Sequence, residues 1–175
     1  EGSVRLLAGS DGDFAYNAYT SNQDRDSAIQ DHLIKAYSGT INSDILDTDL
    51  YRFNVILDAG YSTEVKKSIV DLARNIRQDF VFIADDTDGN QFTVSPQESI
   101  DWRQGKFNID SYYTAIYSQG LTYYDEFTGK DLTFTVPNRL ASKLPTQAVQ
   151  TGLHYPVAGQ RRGAIDGFKG YTWMP

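Results

Sequence analysis

The chain has 175 residues, of which 40% are hydrophobic and 22% are charged, and it contains no cysteine. These values are typical of a globular protein, which at this length buries roughly 70% of the surface of its unfolded chain. The formal net charge of −7 argues against a general nucleic-acid binder, because phosphate contacts need clustered Lys and Arg. No apolar run approaches the roughly 20 residues that span a membrane, and the absence of cysteine excludes disulfides and thiolate metal ligands.

The first predicted elements are a helix and a buried strand. Asp26 or Ser27 is suited to cap a helix over residues 26–37, which Gly39 would end. Residues 53–57 form a short apolar run that favours a strand covered on both faces. The apolar positions of this predicted helix are Ile29, Leu33, Ala36 and Tyr37.

A second helix, over residues 62–77, has the clearest pattern. Ser62 is the predicted cap, and the apolar residues recur at helical spacing along one continuous face. Charged residues occupy the other side, where Glu64 and Lys67 are within reach of each other. A buried strand over residues 80–84 follows, so the strand–helix–strand order predicts a parallel crossover. The predicted buried positions are Val65, Ile69, Leu72, Ala73 and Ile76.

Further along, Ser95-Pro96-Gln97-Glu98 predicts a capping box at the start of a short helix that ends near Arg103. The last third predicts strands over residues 115–117, 121–125 and 132–136, then a helix over residues 139–149. Most of its tyrosines are expected to pack in the core, namely Tyr112, Tyr113, Tyr117, Tyr123 and Tyr124. The predicted fold is one α/β domain over residues 1–175, with a mixed, largely parallel central sheet, flanking helices and an added antiparallel hairpin.

Three short motifs in this last third carry a family resemblance. They are Asp125-Glu126-Phe127-Thr128-Gly129-Lys130, Val136-Pro137 and Pro156-Val157-Ala158-Gly159. Their order and spacing resemble the tail sheath proteins of contractile bacteriophages and related contractile injection systems. In that family a Tyr-rich strand and a D-x-x-T-G-K hairpin lead to a V-P step, a helix and a P-x-A-G-x-x-x-G loop.

A further similarity lies near the start of the chain, where Leu7-Ala8-Gly9-Ser10-Asp11-Gly12 is similar to the L-x-G-G-x-D-G of the family's central domain but has one glycine fewer. Residues 138–145 depart from the family's small loop, which leaves the start of the helix open.

The resemblance implies a mechanical virion protein of the phage tail, assembled in the host cytoplasm. Copies would stack as hexameric rings around a tail tube protein, and contraction would drive the tube through the host envelope. It implies no catalytic, cofactor or metal residue and no nucleic-acid or membrane partner. Extended arms that link neighbouring subunits would lie outside residues 1–175, and the two ends of the chain are themselves typical of a fragment.

Catalytic signals in the sequence are weak. His32 and His154 are isolated, and the sequence has no nucleophile elbow, P-loop or H-E-x-x-H motif. The basic pair Arg161-Arg162 is too small for a nucleic-acid footprint and is interpreted as a solvated surface. Four pairs of aspartates have the D-x-D spacing that can hold a divalent cation. They are Asp11 and Asp13, Asp24 and Asp26, Asp47 and Asp49, and Asp86 and Asp88.

Some of these D-x-D pairs are expected by chance, because a random sequence with this aspartate content would contain roughly two of them. The stretch Asp86-Thr87-Asp88-Gly89-Asn90 lacks the spacing of a calcium loop and predicts a turn. Two alternatives to the sheath interpretation stay open. One is a metal-dependent transferase or hydrolase that uses an Asp pair, and the other is a host-binding module that uses the Tyr-rich hairpin.

Overall fold

Three parallel strands form the central sheet in the computed structural model, which describes residues 19–89, 91–152 and 154–173. They are β1 (Val55–Leu57), β2 (Val81–Asp85) and β3 (Thr114–Tyr117), in the spatial order β1-β2-β3. Val55 is paired with Val81, and Phe82 with Thr114. The predicted α/β class and the parallel strand–helix–strand unit are therefore confirmed.

The first half of the chain contributes α1 (Asn22–Tyr37), a 3₁₀ turn (Ser43–Leu46) and α2 (Thr63–Asp71). The predicted cap of α1 was wrong, because the helix begins earlier, at Asn22, and its cap is Ser21. The Ser21 hydroxyl accepts the backbone N–H of Asp24 at 3.1 Å, which satisfies a free donor of the first turn. At the other end, Gly39 has a φ of +75°, as its predicted role in ending the helix requires.

Helix α2 confirms the Ser62 cap and most of the predicted buried face. Val65, Ile69, Leu72 and Ala73 are all fully buried. Ile76 is 45% exposed, so its predicted burial was wrong. The cause is a wider π-helical turn at Leu72–Arg77, which shifts the spacing of side chains and brings Arg77 inward instead.

Helix α3 (Pro96–Asp101) begins at the predicted Ser95 cap, although Glu98 bonds back to Val94 rather than to Ser95, and a second π-helical turn, Trp102–Lys106, follows it. The Ser95 hydroxyl accepts the N–H of Glu98, and the Glu98 carboxylate accepts the N–H of Val94. This arrangement places Trp102 in the core, packed beside α2. The core as a whole consists of Val65, Ile69, Val70, Leu72, Ala73, Phe80, Phe82, Ala84, Trp102 and Phe107.

The predicted hairpin forms, but it belongs to a second, antiparallel sheet with the order β5-β4-β6. Its strands are β4 (Gly120–Asp125), β5 (Lys130–Thr135) and β6 (Gly170–Tyr171). Asp125 shapes the hairpin turn by accepting the Phe127 N–H at 3.2 Å and the Thr128 hydroxyl at 2.5 Å. Strand β6 was not predicted, because its partners lie about 50 residues earlier in the chain.

Helix α4 (Val136–Thr151) starts earlier than predicted. Val136, expected at the end of a strand, is its first residue, and Pro137 lies in the first turn, where its missing N–H costs no helical hydrogen bond. The helix also continues through Pro145. Within the loop expected at residues 155–163, a short helix α5 (Gly159–Arg162) forms.

The tyrosine prediction was only partly right. Tyr113 packs against the core, and Tyr123 contacts Phe134 and Phe168. Tyr112 is fully exposed, while Tyr117 and Tyr124 are about half exposed. Among the described helices, none combines the length and the apolar character needed to cross a membrane.

Candidate functional site

A buried lysine lies where the central sheet meets α2. Lys66 is 0% exposed, and its Nζ lies 2.7 Å from Oδ1 of Asp85 and 3.0 Å from Oδ2 of Asp58. The Nζ also donates to the main-chain carbonyls of Thr87 at 2.6 Å and Asp85 at 3.0 Å. Asp58 follows β1 directly and Asp85 ends β2, so the cluster occupies the carboxyl edge of the parallel sheet. This edge is where α/β folds commonly place functional groups.

The two carboxylates of this lysine cluster are held differently. Oδ1 of Asp58 accepts the N–H groups of Gly60 and Tyr61 at 3.1 and 3.0 Å, so it shapes the turn before α2. Oδ1 of Asp85 accepts the Thr87 N–H and hydroxyl, whereas Oδ2 of Asp85 is buried without a hydrogen-bond partner among the described residues. Burial raises the pKa of Asp58, although the nearby Lys66 ammonium opposes the shift.

Trp102 covers the cluster from the α3 side. Its ring centroid lies 5.4 Å from Nζ of Lys66, and its Nε1 donates to the Thr63 hydroxyl at 3.0 Å. Phe107 stacks on the same indole at 4.9 Å, with the rings nearly parallel. The lysine cluster is thus enclosed by an aromatic wall, which keeps water away and strengthens its electrostatic interactions.

Next to this wall lies a groove of about 290 Å³ with acidic sides. Its lining includes Asp86, Asp88, Glu98, Asp101, Trp102 and Lys106. Asp86 is buried and accepts the Thr93 hydroxyl at 2.8 Å. Asp88 accepts the N–H of Thr63 at the start of α2 and pairs with Lys106, both at 3.0 Å. Burial alone would raise the pKa of Asp88, but the hydrogen bonds from Thr63 and Lys106 lower it.

The predicted turn at residues 86–89 is present, and its two aspartates serve different partners. Within the part of the chain that the structure describes, no three His, Cys, Asp or Glu side chains are grouped so that they could hold a metal ion. The other described pairs are likewise engaged locally. Asp24 accepts the hydroxyls of Thr20 and Ser21, and Asp47 accepts the N–H of Asp49. Asp11 and Asp13 lie outside the described residues.

A second feature is the free edge of the central sheet, which adjoins an apolar groove of about 600 Å³. In the described residues β1 pairs on one side only, with β2. The Asn54 carbonyl and the Asp58 N–H point toward β2, so the main-chain groups of the alternate residues Val55 and Leu57 point away from it. The groove is lined chiefly by β1, α4 and the segment after α4, including Leu57, Leu144, Pro145, Tyr155, Pro156 and Val157.

Neither histidine joins these sites. His32 is half-buried on α1, and His154 is exposed with its ring 4.3 Å from that of Tyr155. Arg161 and Arg162 lie on α5, where Arg162 stacks over the Tyr155 ring. At the tip of the hairpin, Phe127 is 99% exposed.

Sequence reasoning missed the lysine cluster, although two signals were present. Lys66 shares a helix face with Ile69, Val70 and Ala73, at spacings of three, four and seven residues. Asp58 and Asp85 each directly follow a predicted buried strand, and the carboxyl ends of parallel strands meet at one edge of a sheet. A charged residue on an apolar face, beside two strand-terminal carboxylates, predicts a buried ion cluster.

Comparison with known proteins finds no family model that matches the chain and no curated protein similar to it in sequence.

Proposed function

We propose that the chain is a structural subunit of a contractile phage tail sheath or of a related contractile injection system. The observation that carries the proposal is the order of motifs and elements in the last third. The D-x-x-T-G-K segment forms the turn of the β4–β5 hairpin, the V-P step opens α4, and the P-x-A-G segment leads into α5. This is the succession that the sequence resemblance leads one to expect.

The free edge of β1 supports a role in assembly. Because the main-chain groups of Val55 and Leu57 point outward, an extended segment of a neighbouring subunit has a template on which to add as a strand. Main-chain pairing of this kind joins subunits without requiring a particular sequence along the added strand. It would link copies into stacked hexameric rings around a tail tube protein.

The apolar groove beside β1 supplies the second half of such a contact. Leu144, Pro145 and Val157 line it together with Leu57, so alternate side chains of an added strand would find an apolar surface. Burial of apolar surface stabilises an interface by about 25 cal/mol per Å² before the costs of association are subtracted. A sheath uses many such contacts, and its contraction would exchange one set of contacts for another. The role is mechanical rather than catalytic, and it places the chain in the virion tail.

Negative-stain electron microscopy of the complete gene product tests the proposal. Tubes of sheath-like diameter are expected from the wild type. Val55→Pro removes an outward-facing N–H that β2 does not use, so it should leave the subunit folded while preventing tube formation. Val55→Thr keeps both the N–H and the β-branched shape, and it should still assemble. Tubes from the Val55→Pro variant would rule out β1 as the linking edge, and the absence of tubes from the wild type would overturn the sheath proposal.

A further inference from the structure

The lysine cluster brings together the three groups needed to form a covalent side-chain cross-link. An amine, a carboxyl group to acylate it and a second carboxyl group to carry protons lie within one buried site. Nζ of Lys66 is 2.7 Å from Asp85 and 3.0 Å from Asp58, and all three side chains are at most 2% exposed. We propose that Lys66 and Asp85 form an intramolecular isopeptide bond, with Asp58 as the proton-transfer group.

The reaction needs no further reactant. The ammonium of Lys66 and the carboxylate of Asp85 together have the same atoms and the same total charge as one amide and one water molecule. The bond from Nζ to Cγ of Asp85 forms, and the bond from Cγ to Oδ2 breaks. Two protons leave Nζ and end on the departing oxygen, so the charges cancel and the product is neutral. Asp58 takes one of these protons from Nζ and delivers it, and therefore emerges unchanged.

The hydrogen bonds around Asp85 indicate which oxygen departs. Oδ1 accepts from the Thr87 N–H at 3.0 Å and from the Thr87 hydroxyl at 2.5 Å, and an amide oxygen at that place keeps both bonds. Oδ2 is buried and has no hydrogen-bond partner among the described residues, so its loss as water removes an unsatisfied polar atom from this site. The single N–H that remains on Nζ keeps an acceptor in the Thr87 carbonyl, 2.6 Å away.

Electrostatics favour the product. One ammonium faces two carboxylates, all three side chains are buried from solvent, and each buried charge carries a large desolvation penalty. Amide formation removes the charges of both Lys66 and Asp85. Burial raises the pKa of Asp58, which suits a group that must accept a proton from nitrogen and return it to oxygen. The aromatic wall formed by Trp102 keeps bulk water from the site and so opposes hydrolysis of the amide.

The bond would join α2 to the end of β2 and close the crossover between them into a ring of side chain and main chain. Lys66 and Asp85 are 19 residues apart. A cross-link of this kind restricts the unfolded chain, as a disulfide does, in a protein that has no cysteine. The inference stands independently of the proposed assembly role, because it concerns chemistry inside one subunit.

Intact-mass spectrometry of the denatured protein tests it. The wild type should be lighter than its sequence by the mass of one water. Tryptic digestion should yield peptide 53–67, uncut at Lys66, joined to peptide 78–103. A wild-type mass equal to that of the sequence would overturn the proposal, as would recovery of the two peptides unlinked.

Two controls separate the cross-link from other losses of water. Asp-Gly pairs such as Asp88-Gly89 can lose water by forming a succinimide, which hydroxylamine cleaves, whereas an isopeptide bond survives hydroxylamine. Lys66→Arg should restore the full mass, and Lys67→Arg, one residue further, should retain the loss. If the Lys66→Arg variant is also lighter by one water, the loss arises elsewhere and the proposal fails. The peptide map of the wild type decides the matter even where the Lys66→Arg variant folds poorly.

Discussion

Arg77 and Asp79 form a two-point ion pair at the end of the π-helical turn that follows α2. Nε of Arg77 lies 2.9 Å from Oδ1 of Asp79, and Nη2 lies 2.7 Å from Oδ2. The same guanidinium donates to the main-chain carbonyls of Ile45 and Tyr51 and packs over the Phe53 ring at 4.2 Å. The fully buried Arg77 side chain therefore holds the irregular segment before β1 against the end of the helical segment that begins with α2.

Arg77→Lys should lower the free energy of unfolding by about 2–3 kcal/mol, because a compact ammonium cannot reach Asp79 and both carbonyls together. The matched control is Arg74→Lys, at an exposed position that makes one hydrogen bond, to the Asp110 carbonyl. It should stay within about 0.5 kcal/mol of the wild type. Urea unfolding measures both, and equal effects would show that Arg77 does not hold the segment.

Leu72→Ala should cost about 2–5 kcal/mol, because it opens a cavity in the fully buried face of α2. Lys67→Ala removes a side chain that is 32% exposed and pairs with Glu64, and it should change stability by no more than about 0.5 kcal/mol. Thermal or urea unfolding of the two variants checks this. A small effect at Leu72 would mean that the packing of α2 against the sheet is wrong.

Gly120→Ala should destabilise the second sheet by about 1–3 kcal/mol through overpacking. A Cβ at this position would lie 2.6 Å from Cγ2 of Thr133 and 2.8 Å from Cγ2 of Thr172. Gly170, on the neighbouring strand, offers the control, because no atom of the described residues lies within 4 Å of its added Cβ. Gly170→Ala should be neutral within about 0.5 kcal/mol or slightly stabilising. Comparable losses in both variants would contradict the close packing around Gly120.

Asp88 and Asp58 should give pH dependences of opposite sign. Folding lowers the pKa of Asp88. Its contribution to the free energy of unfolding is therefore present above the ordinary carboxyl pKa of about 4, and it is lost as the pH falls through the pKa of the folded state. The stability difference between wild type and Asp88→Asn should therefore shrink on acidification.

For Asp58 the pKa is raised by folding, so the folded state binds the proton more tightly than the unfolded state. The contribution of Asp58 to the free energy of unfolding is complete below the pKa of the unfolded state, about 4. It falls as the pH rises through the pKa of the folded state. As the pH rises through this range, the free energy of unfolding of the wild type should fall relative to that of Asp58→Asn. Urea unfolding of both variants across this range measures the slopes, and slopes of the same sign would contradict the assignment.

The sequence was sufficient where the signal was local. Ser62 and Ser95 each accept an N–H within the first turn that follows, so a few neighbouring residues determine where α2 and α3 begin. The alternation of apolar strands with an amphipathic helix likewise predicted the parallel unit. The hairpin at Asp125 was found for the same reason, since its turn depends on side chains within three residues.

Features that depend on distant partners were not predicted. The burial of Lys66 requires carboxylates from the ends of two strands, and the pairing of Gly170 with Thr122 joins parts of the chain that are far apart. Ile76 was misplaced because α2 widens where Arg77 turns toward the segment before β1. Helical periodicity assumes a constant number of residues per turn, and tertiary contacts changed that number here.

The position of Trp102 also makes the lysine cluster visible in solution. The chain has two tryptophans, and Trp102 is 6% exposed, stacked on Phe107 and close to Nζ of Lys66. Indole emission shifts to longer wavelength when water reaches the ring, so opening of the contact between α2 and α3 should redden the fluorescence of this residue. In a Trp173→Phe variant, Trp102 is the remaining tryptophan, so the emission wavelength shows without any added label whether solvent reaches the lysine cluster at the carboxyl edge of the sheet.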